Sequence, residues 1–98
     1  MKGIISQLNK TFESRIKLGI MSVLMVNDWV DFNTLKQLLE ITDGNLASHL
    51  KVLEEKELIT MKKQFIGRKP KTSYKVSETG RGLFAKHVEA LEKLIKSA

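Results

Sequence analysis

The feature that most constrains this chain is a change of period near residue 58. Before it, apolar residues recur at helical spacing. After it, Ile59, Met61 and Phe65 alternate with Thr60, Lys62 and Gln64, the two-residue period of a half-buried strand. A second alternating run, Thr72 to Ser77, places Tyr74 and Val76 on one face, and the segment between the runs is Gly67-Arg68-Lys69-Pro70-Lys71. Two such runs around a Gly- and Pro-containing tip pair as an antiparallel hairpin. The helices have to pack against one small sheet.

The helical part divides by its caps. Ser14 to Val26 reads as one helix with Ile16, Ile20, Val23 and Leu24 on a shared face, ended by Asn27-Asp28. Trp29 to Phe32 is short enough for a small strand or turn. Asn33 is expected to cap a helix over Thr34–Glu40 that buries Leu35, Leu38 and Leu39, and Thr42 to cap another over residues 43–56. Two short helices so briefly joined form a helix-turn-helix. Ser77 caps a last helix, about 78–97, and Ile4, Ile5, Leu8 and Phe12 give residues 1–13 the spacing of an amphipathic helical arm. The expected fold is one domain, residues 1–98, mainly α with a small antiparallel β-hairpin: a winged helix-turn-helix whose wing spans 62–75.

Charge points to the partner. Residues 1–59 hold seven Lys/Arg against eight Asp/Glu, a net −1; residues 60–81 hold seven against one, +6; residues 82–98 hold three against two, +1. The whole excess lies in the hairpin and its exit, and a one-sign block is the footprint of a polyanion. A basic surface that only aids solubility is the competing reading. Arg68 suits a narrow minor groove, where negative potential concentrates, while Lys62, Lys63, Lys69, Lys71 and Lys75 suit phosphates.

On the helix over 43–56, Leu46, Leu50 and Leu53 share one stripe that must face the core. The opposite side carries Gly44, Ser48, Lys51 and Glu55, flanked by Asn45 and Val52. A helix entering the major groove needs small residues for approach and hydrogen-bonding ones for base edges. Asn45 and Ser48 are the candidate base readers, with Gly44 beside them; Lys51 and the Thr42 cap suit backbone contacts. Asp43 would repel phosphate unless it serves the helix N-terminus. His49 lies at the edge of the buried stripe, able to reach DNA or to pack beside the turn. The absence of cysteine removes disulfides and thiolate chemistry, the two histidines lack metal-site spacing, and no Gly-rich phosphate loop follows a strand. No enzyme, cofactor or metal is expected. With no secretory or membrane-spanning pattern, the expected setting is soluble and cytoplasmic.

"TDGNLASHLKVLEEKELI" followed by "FIGRKPKTSYKVSETGRGLF" resembles the small winged-helix transcriptional regulators of the MarR and ArsR groups, over roughly residues 14 to 85. The resemblance implies a dimeric, DNA-binding repressor or activator. It places groove contacts on Thr42, Asn45, Ser48 and His49 and wing contacts on Arg68 and Lys69. The cysteine motifs of ArsR-type metal sensors are missing, and the chain is shorter than MarR-type proteins with an effector pocket. Many relatives have Gly where Glu57 stands, so the helix ends without that aid or Glu57 adopts an uncomfortable conformation.

Phe84, Val88, Leu91 and Ile95 form a stripe on the last helix that Leu83, His87, Ala90 and Leu94 widen. With Ile4, Ile5, Leu8 and Phe12 this makes a candidate homodimer interface; the same stripes could instead close the chain's own core, and packing is the simpler reading of His87. A twofold dimer sets two recognition helices roughly 34 Å apart and requires a near-palindromic site. A protein-docking winged helix and a charge-driven, nonspecific nucleic-acid binder are the alternative functions.

Overall fold

The computed structural model describes residues 3–97, so Met1 and Lys2 of the expected arm, and Ala98, lie outside the described residues. The elements are α1 (Arg15–Met25), β1 (Val30–Asp31), α2 (Phe32–Leu39), α3 (Asp43–Glu55), β2 (Ile59–Ile66), β3 (Lys69–Val76) and α4 (Glu78–Ser97), preceded by 3-10 turns at Ile4–Gln7 and Lys10–Glu13. The fold is a winged helix: four α-helices and a three-stranded antiparallel sheet ordered β1-β3-β2. β1 joins the sheet through Val30 opposite Tyr74 and Asp31 opposite Ser73.

The expected stripes form the core. Ile20, Met21 and Leu24 of α1, Leu35 of α2 and Leu46, Leu50 and Leu53 of α3 are buried together with Leu58, Ile59, Tyr74, Val76 and Phe84. Leu38, expected inside, is 59% exposed, because an eight-residue helix turns only one narrow face inward and Leu35 and Leu39 fill it. The N-cap of α2 is Asp31, not Asn33: the helix begins one residue before Asn33, and the Asp31 carboxylate accepts a hydrogen bond from the Thr34 hydroxyl. That bond, chiefly, holds the Asp31 pKa below its usual value, with Lys71 adding a weaker attraction.

The opening segment is not one helix. Asn9 accepts a bond from the Thr11 amide through its side chain, an arrangement that competes with a helical path and splits the segment into two tight turns. Phe12 then drops fully into the core, edge-on to Phe84 at 5.1 Å between ring centroids and 5.4 Å from His87. His87 Nδ1 accepts the Asn9 N–H at 2.9 Å. Phe12 and Phe84, candidates for a dimer surface, are therefore 1% and 4% exposed within a single chain, and His87, also a candidate there, packs as its simpler reading had it, at 3%. A core this small needs those rings to close it.

The end of α3 shows how Glu57 replaces glycine. Its φ is +59°, the left-handed region, which costs a side-chain-bearing residue about 1–2 kcal/mol. The Glu57 N–H reaches Glu54 O and the Leu58 N–H reaches Leu53 O, closing the orphan carbonyls of the last turn. Ser77 fastens α4 to this turn: its hydroxyl donates to Glu57 O at 2.7 Å and accepts from the Gly80 N–H at 2.9 Å. The approach is close enough that a Cβ on Gly80 would stand 1.9 Å from Leu58 O.

Gly80→Ala is thus expected to destabilise the fold by about 2–4 kcal/mol in urea or thermal unfolding. Gly82→Ala, which meets open space on the same helix, should be neutral or slightly stabilising. Equal unfolding midpoints for the two variants would refute the close packing of α4 on the α3 turn.

Candidate nucleic-acid interface

With its three leucines inward, α3 presents the other side outward. Thr42 caps it, the hydroxyl accepting from the Asn45 amide at 3.3 Å. Gly44, Asn45, Ser48 and Lys51 are all exposed, and the space beside the Gly44 Cα is empty. Asn45 keeps its whole side-chain amide free of hydrogen bonds to the described residues. Ser48 differs: its hydroxyl donates to Asn45 O at 3.1 Å, so what it offers outward is an acceptor.

Two cations that sequence reasoning did not single out flank this helix. Lys36 of α2 lies 2.7 Å from the Asp43 carboxylate. An exposed pair of this kind adds at most about 1 kcal/mol to stability. Its larger consequence is local: it offsets the negative charge at the start of α3 that would oppose an approaching phosphate. On the other flank Lys17 of α1 lies 2.8 Å from His49 Nδ1. His49 is half-buried, and its pKa is lowered first by that burial and then by the Lys17 charge. Neither lysine has a local sequence signal, because each reaches α3 only through helix packing.

The wing is longer and tighter than the sequence implied. Its turn is just Gly67-Arg68, with Gly67 at φ +66°, and Lys69, Pro70 and Lys71 belong to β3. Pro70 sits opposite Phe65, beyond the reach of β1, so its missing N–H leaves no ladder bond unmade on that side. The register sorts the cations. Lys62, Lys69, Lys71 and Lys75 share one face of the ribbon, Lys63 lies on the other with Phe65, and Arg68 is at the turn.

They are not equally available. The Lys62 ammonium stands 4.3 Å from the centre of the Trp29 ring and that of Lys75 5.9 Å, and Lys75 also pairs with Asp28 at 3.4 Å. Arg81, part of the basic stretch by sequence, donates to the Met25 carbonyl at 3.2 Å and so closes the end of α1. The side chains of Lys63, Arg68 and Lys69 make no ion pair or hydrogen bond among the described residues. Phe65 and Ile66 beside them are 69% and 61% exposed.

Of the remaining apolar candidates, Ile4, Leu8, Val88, Leu91 and Leu94 are half-buried, while Ile5 and Ile95 are 74% and 76% exposed. Val26, the C-cap of α1, is 81% exposed. Among the described residues no three His, Cys, Asp or Glu side chains gather as a metal-binding group, and no helix is long and apolar enough to cross a membrane.

A family model for a winged helix DNA-binding domain matches residues 16–95. An uncharacterized protein of Methanocaldococcus jannaschii is 36% identical over 88 residues, covering 90% of this chain and 96% of that protein. The structure of a transcriptional regulator homologue from Pyrococcus horikoshii superposes with a TM-score of 0.88 at 26% identity, over 99% of this chain and 97% of that one. A MarR-family protein from Porphyromonas gingivalis shares the fold, with a TM-score of 0.68 at 19% identity over 91% of this chain and 86% of that one.

The Lys36–Asp43 pair makes a distinctive prediction for duplex binding. Lys36→Met should weaken it by about tenfold at low salt, more than one exposed cation would explain, because it also uncovers Asp43. Adding Asp43→Asn should restore most of the loss. Titration of the three proteins with a labelled 30-base-pair duplex decides the matter, and a double variant as weak as Lys36→Met would reject the masking role.

Proposed function

The chain belongs to the winged helix DNA-binding domain family, and on that premise we propose that it is a dimeric transcriptional regulator binding double-stranded DNA at a specific, near-palindromic operator in the cytoplasm. It acts by binding, without catalysis. The observation that carries this reading is a small, polar, exposed outer side of α3 at Gly44, Asn45 and Ser48 in the same fold as a wing whose cations Lys63, Arg68 and Lys69 are exposed and without a side-chain partner among the described residues.

In this reading α3 enters the major groove. Asn45 reads a base edge bidentately, adenine being its best partner, and Ser48 accepts from an exocyclic amino group. Thr42 and Lys51 meet the backbone at either side. Arg68 reaches the adjacent minor groove, Lys63, Lys69 and Lys71 neutralise phosphates, and Lys62 and Lys75 contribute field from positions set by Trp29. The whole chain serves as one DNA-binding domain.

The dimer rests on what the core leaves over. With Phe12, Phe84 and His87 used internally, the exposed Ile5 and Ile95 and the half-buried Leu91 are apolar residues left over on the first turn and α4. Two copies meeting there would set the recognition helices one DNA turn apart.

Selection of purified protein against a random DNA pool at near-physiological salt should enrich a near-palindrome with half-sites one turn apart. Asn45→Ala should cost about 1–3 kcal/mol on the enriched duplex and leave nonspecific binding intact. Arg68→Ala should lower affinity for all duplexes and reduce the salt slope by about one. A pool returned unchanged would favour the charge-driven binder or the protein-docking module.

For the dimer, Ile95→Glu and Ile5→Glu should shift sedimentation from dimer to monomer while leaving the circular dichroism spectrum of the folded chain unchanged, since both side chains are exposed within one chain. A wild type that sediments as a monomer at tens of micromolar would reject it.

A further inference from the structure

Lys17 stands on α1, outside the helix-turn-helix pair, yet it contacts the recognition helix through His49 at 2.8 Å. A protonated lysine has three donors and no acceptor, so His49 Nδ1 must be the acceptor of that bond and carries no proton. Burial and the Lys17 charge both oppose a second proton on the ring, so the imidazole is neutral and its single proton sits on Nε2. Nε2 makes no hydrogen bond to the described residues. None of their buried side-chain nitrogens or oxygens lacks a partner, so Nε2 is open to solvent. His49 lies one turn along from Asn45, on the same side of α3.

We propose that Lys17 is a positioning residue that holds His49 as an obligate outward hydrogen-bond donor, and that His49 uses it to read the acceptor edge of guanine, N7 or O6. The chemistry selects the base. Guanine presents two adjacent acceptors, N7 and O6, in the major groove; adenine shares the N7 acceptor but sets an amino donor beside it, cytosine offers an amino donor, and the thymine methyl crowds its single acceptor, so an Nε2–H aimed at the position-6 side of the edge favours guanine. A histidine free to change tautomer could serve donor or acceptor and would discriminate poorly. Lys17 removes that freedom without touching the base itself. The proposal rests on α3 being the groove-reading helix.

Two measurements on the full chain test it. In a long-range proton–nitrogen spectrum at neutral pH, the His49 ring, identified by its loss in His49→Gln, should show the Nε2–H tautomer, and Lys17→Met should convert it to a mixture. An Nδ1–H tautomer in the wild type would overturn the positioning role. On the duplex enriched by the wild type, His49→Ala should lose about three- to tenfold and its preference at one guanine. Lys17→Met should lose preference at that same guanine, and the double variant should discriminate no worse than His49→Ala. If Lys17→Met weakens all duplexes equally and leaves every base preference intact, Lys17 is only a phosphate contact and the proposal falls.

Replacing that guanine with 7-deazaguanine, which lacks N7, or with 6-thioguanine, whose sulfur is a poor acceptor in place of O6, should in at least one case cost the wild type its advantage over His49→Ala; a wild type unchanged by both would assign the contact to the backbone and overturn the base reading. Failure of the wild type to enrich any sequence would instead sink the groove-reading premise, a result separable from the tautomer.

Discussion

Burial of Leu46, Leu50 and Leu53 sets the rotation of α3 about its own axis, and the interface depends on that angle. All three side chains are fully buried, and burying each contributes about 1.5–3 kcal/mol. The polar contacts at the margins of the helix, Thr42 at its cap, Lys36 with Asp43 and Lys17 with His49, are each worth about 1 kcal/mol or less. The leucines therefore decide which way the helix faces. The polar contacts refine what it presents: a masked carboxylate on one flank, a fixed imidazole on the other and an open amide between.

The same division applies to the wing. Seven cations in residues 60–81 look like one block in the sequence, but the fold gives them different work. Arg81 closes the C-terminus of α1, Lys75 pairs with Asp28, and Lys62 lies over Trp29. Lys71 acts weakly on Asp31, and the other three, Lys63, Arg68 and Lys69, have no partner among the described residues. Cations held against an aromatic ring or a carboxylate contribute to the field around the protein, while free ones can also change partners on contact with a polyanion.

At the other end of the molecule, the first turns and α4 are joined by rings and one backbone bond. Phe12 is edge-on to Phe84, His87 is close to both, and the Asn9 N–H reaches His87 Nδ1. This cluster completes the core and fixes where α4 starts relative to α1. The molecule is elongated, 56 Å in its longest dimension against 25 and 21 Å, and α4, at 20 residues, accounts for about 30 Å of helix. The later turns of α4 carry Ile95 out to solvent.

Periodicity and caps were enough to locate the elements. The switch to period two at Ile59, the leucine spacing of α3, the Thr42 cap and the basic hairpin are local properties, and they gave the winged helix and its polar outer face. The family resemblance raised the question of how α3 ends at Glu57, and the structure answers it with a left-handed residue. The errors came where neighbouring residues of one helix compete for the same role. Asn33 has the right chemistry for a cap, but Asp31 takes that place, and of the three leucines expected inside, Leu38 is left exposed once Leu35 and Leu39 fill the available face. Gly19 had no visible purpose in the sequence; in the fold a Cβ there would stand 2.9 Å from the Leu39 side chain, where α1 and α2 cross.

What only the tertiary structure decided is which side chains are already occupied. Lys17 and His49 are 32 residues apart and Asn9 and His87 are 78 apart, and no local pattern anticipates either bond. A helical period says which face of a segment is apolar. It does not say whether that face meets the chain's own core, as at Phe12 and Phe84, or is left over, as at Ile95, because that depends on the volume the rest of the fold has to fill.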